Sequence, residues 1–592
     1  MKPTDVNDPE YYHKVVDCQY ACPAHTPVPE YIRLIAARRY TDAYMLNWES
    51  NVFPGVLGRT CDRPCEPACR RSRIEQQPVA ICRLKRVAAD HKGDISERLP
   101  PLPNKKNGKR IALVGAGPAS LTVARDLLPL GYSIDLFDEQ AAGGGFMRSQ
   151  IPAFRLPEEV LNEEVDIILD MGVVTHFKHY VSSLKTLLDD DYDAVFVGSG
   201  APLGRDLDIS GRAEAAANVH IGINWLASVA FGHVESIGSR VLVLGGGNTA
   251  MDCCRTARRL GGDDVRVVVR SPFEEMKASP WEKEDAQREH IPIYDNHVPR
   301  AFLVEKGRLV GMRFDKVKAV YEDGKRELIS TGEPPVDMAC DDVLVAIGQL
   351  NAFPWIERDS GVEFDHWQLP VVDAQTFQSS HPKVFFGGDA AFGPENVITA
   401  VAHGHQAAIS IDLFCRGEDL SHRPPPGSNL VSQKMGIHEW SYDSRVEDDA
   451  RYPVPQAELA ETLGDRRLEV ELGFDAATAF HEAQRCLNCD VQTVFTENLC
   501  IECDACIDIC PTDCLSFVVN DVEESELRQR LRLSANNTEQ DLYVSQELRT
   551  GRAMIKDENV CLHCGLCAER CPTAAWDMQQ FFYHVTKAGQ GV

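Results

Sequence analysis

"KRIALVGAGPAS", residues 109–120, decides the reading of the chain's centre. An apolar strand runs into a glycine turn, and the helical pattern "LTVARDLLPLG" follows. Gly115 suits the tight turn, Gly117 lets backbone approach a pyrophosphate, and Ser120 fills the small-residue slot where helix and strand pack closely. The next strand, "YSIDLFDEQ", ends in Asp138, 23 residues beyond Gly115, where a carboxylate accepts hydrogen bonds from a ribose. A lone glycine pattern is a weak signal. Strand, turn, helix, strand and terminal acid in this order specify a dinucleotide site.

The pattern recurs at 239–250, "SRVLVLGGGNTA", with Gly245, Gly247, Asn248 and Ala250 at the turn and helix start. The strand that follows, "VRVVVRS", ends in Arg270 where an acid would favour an unphosphorylated ribose. A guanidinium suits a 2′-phosphate, so the second copy favours NADP(H) over NAD(H). A solvated arginine is the plainer alternative, and Arg255 and Arg259 either assist or face water. Cys253 and Cys254 inside the helix read as packing, because adjacent helical cysteines do not readily close a disulfide. Two such units in one chain point to a flavin in the first and a nicotinamide in the second. Residues 192–202 and 341–351 read as strands returning to the sheets. "KVFFGGDAAFGPENVITAVAHGHQAA" (383–408) places Gly388 and Asp389 after a strand, with a helix starting near Asn396 and Val397.

At 592 residues the chain is long enough for three to five domains. Its formal charge of −28 argues against a surface that tracks nucleic-acid phosphates. No apolar run reaches membrane-span length and "MKPTDVNDPE" has no apolar signal core, so a cytoplasmic protein is expected. Twenty-one cysteines in that compartment read as metal or redox sites. Six lie before residue 83 and eleven in the last 107 residues, so metal chemistry belongs to the two ends.

"CIECDACIDICP" (500–511) and "CLHCGLCAERCP" (561–572) are both C-x2-C-x2-C-x3-C-P. In this run three thiolates hold one [4Fe-4S] cluster and the fourth reaches the other. One cluster should take Cys500, Cys503, Cys506 and Cys571, and the second Cys561, Cys564, Cys567 and Cys510. Zinc is the poorer reading, since its sites rarely use this duplicated run. The charged stretch 523–541 between the motifs reads as a solvated loop, with a docking element as the alternative.

Residues 109–415, including "GGGFMRSQIPAFRLP" (143–157) and "GGGNTAMD" (245–252), resemble a known oxidoreductase family. Its members include the glutamate synthase small subunit, dihydropyrimidine dehydrogenase, and the large subunit of electron-bifurcating ferredoxin:NADP oxidoreductases. The resemblance implies FAD on the first unit, with Asp389 at the flavin's ribityl or pyrophosphate region and the following helix aimed at the isoalloxazine. Members often carry two arginines where this chain has Arg270 and Ser271.

The same resemblance bears on the amino end, whose six cysteines are an awkward number for whole clusters. Family members open with R-C-x2-C a few residues ahead of C-x3-C-P. This chain has the second as Cys18–Cys22–Pro23, and the first appears only at Arg485–Cys486–Leu487–Asn488–Cys489. The resemblance therefore implies that Cys486 and Cys489 fold back and complete one cluster with Cys18 and Cys69. Cys22, Cys61, Cys65 and Cys82 would hold another, Cys82 being the member the family can replace by a non-cysteine ligand. The alternative is a single amino-terminal cluster with Cys486 and Cys489 as spare thiols.

The expected architecture is α/β, with two Rossmann-like domains, an amino-terminal helical iron–sulfur domain and a bacterial-type ferredoxin domain at the carboxyl end. Its boundaries are 1–100 (iron–sulfur), 101–235 and 353–418 (FAD), 236–352 (NAD(P)H), 419–490 (linker with the cysteine pair) and 491–592 (ferredoxin). The expected function is electron transfer between NADP(H) and a partner oxidoreductase or ferredoxin, through FAD and four [4Fe-4S] clusters, with no covalent catalytic residue. Candidate partners by analogy are a 2-oxoacid:ferredoxin oxidoreductase, a glutamate-synthase-like large subunit, or a molybdenum or tungsten dehydrogenase, in a hetero-oligomer. The rival readings are a stand-alone reductase of a small acceptor, a glutamate-synthase-type small subunit and a non-enzymatic scaffold.

Overall fold

The computed structural model describes residues 2–75, 77–322, 325–435, 449–519 and 542–590. The charged stretch 523–541 and the start of the "DSRVEDDARYPVP" passage lie outside the described residues. The chain divides into two compact units. One comprises residues 1–99, 422–454 and 473–592, and the other 100–421 and 455–472.

The second unit holds two parallel five-stranded sheets. In the first the order is Val384–Phe386, Ala194–Val197, Arg110–Val114, Ser133–Asp138 and Val174–Phe177. These strands are short, rich in Val, Ile and Phe, and almost wholly buried in the middle, as strands covered on both faces must be. The second sheet runs Val219–Ile221, Asp342–Val345, Arg240–Leu244, Asp264–Val268 and Ile293–Tyr294. An antiparallel sheet of His297–Glu305, Arg308–Glu322, Lys325–Ser330 and Val336–Ala339 follows within it.

The boundary read at 235/236 differs from this pairing. Val219 to Ile221 pair in register with Val343 to Val345, and the helix Gly222–Ala230 buries Trp225, Leu226 and Val229 in the core of the second sheet. Polar, glycine-bearing sequence around 203–218 hid the crossing point, where the short strand Leu203–Gly204 pairs with Gln349–Leu350.

The other unit begins with short helices that share a core of Tyr12, Val16, Val28, Tyr31, Ile32, Ile35 and Leu84. Helix Ala476–Gln484, capped by Asp475 accepting from the Thr478 amide at 2.7 Å, inserts Ala479 and Ala483 into that same core. Beyond it, Val491–Phe495 and Gly427–Ser432 flank Trp576–His584 in an antiparallel sheet. Residues 427–432, read as linker, are therefore an edge strand. The ferredoxin repeat appears as two short helices, Ala505–Ile509 and Leu566–Arg570, each inside its cysteine run.

Candidate nucleotide sites and cysteine centres

Parallel strands bring their carboxyl ends to one edge, and nucleotides bind along such edges. In the first sheet that edge carries the turns after Val114, Val197 and Phe386, with Asp138 closing its strand. Gly115 has φ +94°, and a Cβ there would lie 2.6 Å from the Gly198 carbonyl oxygen, so no other residue fits. Gly117 caps helix Pro118–Leu127. Ser120 is fully buried against Gly198, as its small-residue role requires. Asp138 accepts from the Ala116 amide at 2.6 Å and the Gln140 amide at 2.7 Å, so it braces the glycine turn with capacity left for a ligand hydroxyl. Burial raises its carboxyl above the usual range despite those two bonds.

Asp389 opens the helix Asp389–Phe392, and its backbone oxygen accepts from Asn351 at 2.8 Å. Burial lifts its carboxyl to about 6. Asn396 caps the 20-residue helix Val397–Arg416 by accepting from the Thr399 amide at 3.0 Å. The buried oxygens of the Ser120 and Ser199 hydroxyls and of the Asn351 side-chain amide have no hydrogen-bond partner among the described residues. An open glycine turn, a flanking carboxylate and unsatisfied oxygens near this edge fit a polar ligand such as FAD.

At the second sheet Gly245 has φ +140°, and a Cβ would collide with the Ala346 carbonyl oxygen at 2.1 Å. Gly247 faces open space and Ala250 is fully buried behind it. Asn248 accepts from the Ser279 amide at 2.9 Å, fixing the loop beside the turn. Arg270 is exposed just past strand Asp264–Val268, and its guanidinium makes no hydrogen bond or ion pair among the described residues. Arg255 and Arg259 neither face water nor reach for phosphate. Both are buried on the Phe154 ring and paired with Glu289, at 2.9 and 2.7 Å. Arg155 joins this network, with Asp252 at 2.7 and 2.8 Å and Glu282 as partners. It thus ties the "FRLP" loop to the helix of the second glycine turn. Cys253 and Cys254 are fully buried in that helix, as packing residues would be.

The cysteines gather in four groups. Cys18, Cys69, Cys486 and Cys489 line one cavity with Val28, Ile32, Val79 and Ile81 on its apolar walls and Asp17, Arg70 and Arg71 on its polar ones. Arg485 holds the returning segment: it is fully buried, and bonds Glu482 at 2.7 Å, Glu75 at 3.0 Å and the backbone oxygens of Gln77 and Pro78. Burial pushes the Cys486 thiol up to about 12 and those of Cys18 and Cys489 higher than their ordinary range. Four thiols around one void, Cys18 buried and Cys69, Cys486 and Cys489 half-buried, are a donor set that a metal cluster, by binding thiolates, would satisfy.

Cys61, Cys65 and Cys82 form a second group, in which the Cys82 thiol hydrogen-bonds the other two. These three and Cys22 all act on the buried Lys85 ammonium and hold it well above the usual lysine range, against burial. In the ferredoxin repeat, Cys500, Cys503, Cys506 and Cys571 line a recess walled by Phe495, Phe517 and Trp576. Cys510, Cys561, Cys564 and Cys567 form the fourth group, acting on one another's thiols.

Sequence reasoning missed Cys514. Its sulfur lies 3.4 Å from that of Cys510 and hydrogen-bonds Cys561, which draws the Cys510 thiol down to about 5 and Cys561 to about 6. The repeat could have shown it, because Cys514 follows Cys510 at the spacing by which Ala575 follows Cys571. The buried arginines that organise the amino-terminal cavity had no such signal, apart from sitting next to cysteines.

Two glycine turns on parallel sheets, with cysteines collected into cluster-sized groups, define an iron–sulfur flavoprotein oxidoreductase that uses a nicotinamide nucleotide. Comparison with known proteins agrees. Residues 109–404 match the pyridine nucleotide-disulphide oxidoreductase family, 12–96 the family described as dihydropyrimidine dehydrogenase domain II, 4Fe-4S cluster, and 499–575 the 4Fe-4S dicluster domain. The chain is 33% identical to the NADP(+)-dependent formate dehydrogenase subunit beta of Moorella thermoacetica, over 80% of this chain and 70% of that one. It is 30% identical to the NADPH-Fe(3+) oxidoreductase subunit beta of Geobacter sulfurreducens, over 82% and 77%. The NADPH glutamate synthase small chain of Escherichia coli is 32% identical, over 67% of this chain and 87% of that one. The chain belongs to the pyridine nucleotide-disulphide oxidoreductase family, in a form that carries iron–sulfur domains at both ends. It is an FAD- and NADP-dependent oxidoreductase with 4Fe-4S clusters. No described helix is long and apolar enough to cross a membrane.

Proposed function

We propose that this chain is the nicotinamide-linked electron-transfer subunit of a larger oxidoreductase, with FAD on the first sheet, NADP(H) on the second and four [4Fe-4S] clusters in the four cysteine groups. The observation that carries the reading is the meeting of Cys486 and Cys489 with Cys18 and Cys69 in one cavity. It gives sixteen ligands for four clusters and leaves none of the paired motifs unused. Bound flavin supplies the exchange between a two-electron hydride and single electrons, which a nicotinamide–cluster pair lacks.

The chain's own residues bind and orient. Arg270 takes the 2′-phosphate, and Gly245 and Gly247 admit the pyrophosphate. Asp138 would hold the adenosine ribose of FAD through the carboxylate that already accepts from the Ala116 and Gln140 amides. The amino end of helix Val397–Arg416, ordered by its Asn396 cap, would offer a positive dipole that favours negative charge on a flavin bound beside it. Buried arginines and backbone amides around the cysteines set the cluster potentials.

A separate catalytic polypeptide as partner is supported by the relatives named as beta subunits of a formate dehydrogenase and an NADPH-Fe(3+) oxidoreductase. The test is purification from the native cell without oxygen, followed by mass, iron and flavin analysis. A stoichiometric second polypeptide and about sixteen irons per flavin are the expected result. A lone chain that reduces a small acceptor rapidly after removal of residues 491–592 would overturn the subunit reading, and about twelve irons would overturn the fourth cluster.

A further inference from the structure

Arg70 is 1% exposed and makes contacts on two sides. On one it lines the cavity of Cys18, Cys69, Cys486 and Cys489. On the other its Nη1 donates to the Glu558 carbonyl at 2.5 Å and the Cys561 carbonyl at 2.8 Å, and lies 3.1 Å from His563 Nε2. Its Nε donates to Asp17 Oδ2 at 2.6 Å and its Nη2 to the Val15 carbonyl at 3.1 Å. Arg70 follows Cys69 in sequence and Asp17 precedes Cys18, so one guanidinium is tied to the immediate surroundings of three expected ligands.

The internal repeat provides a control. Glu502 and His563 occupy the same place in their motifs, each with positive φ and each donating its amide to the first cysteine of its run at 3.4 Å. Their side chains diverge. Glu502 turns to Arg552 at 3.0 Å and to Thr550, both inside the ferredoxin module. His563 turns to Arg70 of the amino-terminal domain. Arginine has no acceptor, so His563 Nε2 must accept and its Nδ1–H donates to the Val491 carbonyl at 3.3 Å. The junction holds a neutral histidine and a guanidinium whose charge does not titrate.

We propose that Arg70 is a positioning residue that couples the Cys18, Cys69, Cys486 and Cys489 centre electrostatically to the ferredoxin centre built on Cys561, which makes that centre, and not the Cys500 one, the neighbour of the amino-terminal domain. This rests on the cluster assignment given above. A buried cation favours the more reduced, more negative state of any cluster close to it, so Arg70 raises the reduction potential at both centres.

The experiment is an EPR-monitored redox titration of the full-length, cluster-loaded protein and its R70Q, R70K and D17N variants, with iron and sulfide measured on each. R70Q should lower the midpoints of the amino-terminal and Cys561 centres while the Cys500 centre stays put. R70K keeps the charge without the fork and should restore most of both shifts. D17N leaves Arg70 without its carboxylate and should move the same two midpoints the opposite way, which keeps the inference testable where R70Q does not retain its iron. Fully loaded R70Q with unmoved midpoints, or with all centres shifted alike, overturns the coupling. A wild-type protein with only about twelve irons overturns the assignment beneath it instead.

Discussion

Arg33 and Asp490 meet in a two-pronged ion pair, Nη1 to Oδ1 at 2.7 Å and Nη2 to Oδ2 at 2.5 Å, although 457 residues separate them. Arg33 also donates to the Asn488 side chain at 3.3 Å. Helix Val28–Ala36, which lies beside the first cysteine pair in sequence, thereby grips the residues on both sides of Cys489. Asp490 is 5% exposed at its side chain and Arg33 29%, so the pair is only partly screened.

Asp490→Ala should release this grip. Removing a buried charge-assisted partner costs about 1–3 kcal/mol, and the loss falls on the returning segment. The variant is expected to melt earlier and to lose about four irons per chain while keeping its flavin. Iron and flavin analysis with a thermal melt checks it, and an unchanged iron content would mean that Cys489 is held without Asp490.

Arg270→Ala should reduce kcat/KM for NADPH by about 10–100-fold and leave NADH within about twofold, the size expected for one charge-assisted contact to a phosphate. The side chain has no protein partner among the described residues, so its removal disturbs no internal pair. Steady-state rates with both nucleotides decide it. Equal losses with each would assign Arg270 to the fold and not to the phosphate.

Gly198→Ala should destabilise the first nucleotide site by about 1–3 kcal/mol, the cost of overpacking. The added methyl would lie 2.3 Å from the Ser120 hydroxyl oxygen, with Phe196 next at 3.0 Å. Adding Ser120→Ala opens the nearer clash, so the double variant should recover part of the stability and flavin retention. Denaturant melts of the four-protein cycle measure the coupling, and additive losses would show that the two residues do not oppose each other.

The glycine turns and the ferredoxin cysteines were legible because their chemistry is local: a turn, a helix start or a thiolate spacing is written in about a dozen residues. The return of Cys486 and Cys489 was legible only by likeness to a family, since nothing in "HEAQRCLNCDVQ" names its partner. What stayed hidden is long-range polar packing. Arg255 and Arg259 looked like surface or phosphate groups because their acids, Glu289 and Asp285, stand about 30 residues on, and burial is not a property of the pattern. The crossing at Val219–Ile221 was missed for a related reason, a three-residue strand being too short to show a period.

Asp389 offers a pH test of the flavin edge. In the unfolded chain this carboxyl ionises near pH 4; in the ligand-free fold burial holds its proton to about 6. Between those values the folded state binds more protons than the unfolded state, so this group's contribution falls as pH rises through the window and is flat above it. The full difference is at most about 3 kcal/mol, and residual solvent access at Asp389 trims it to about 1–2 kcal/mol. Asp389→Asn cannot ionise and is expected to remove that slope, gaining on the wild type from pH 4 to pH 6 and keeping the gain at pH 7. Asp252, also lifted by burial to about 6, is present in both proteins and cancels in the difference. Urea melts of the flavin-free protein at pH 5, 6 and 7 measure it. Parallel curves for the two proteins would mean that Asp389 ionises normally and that the site is wetter than its burial implies.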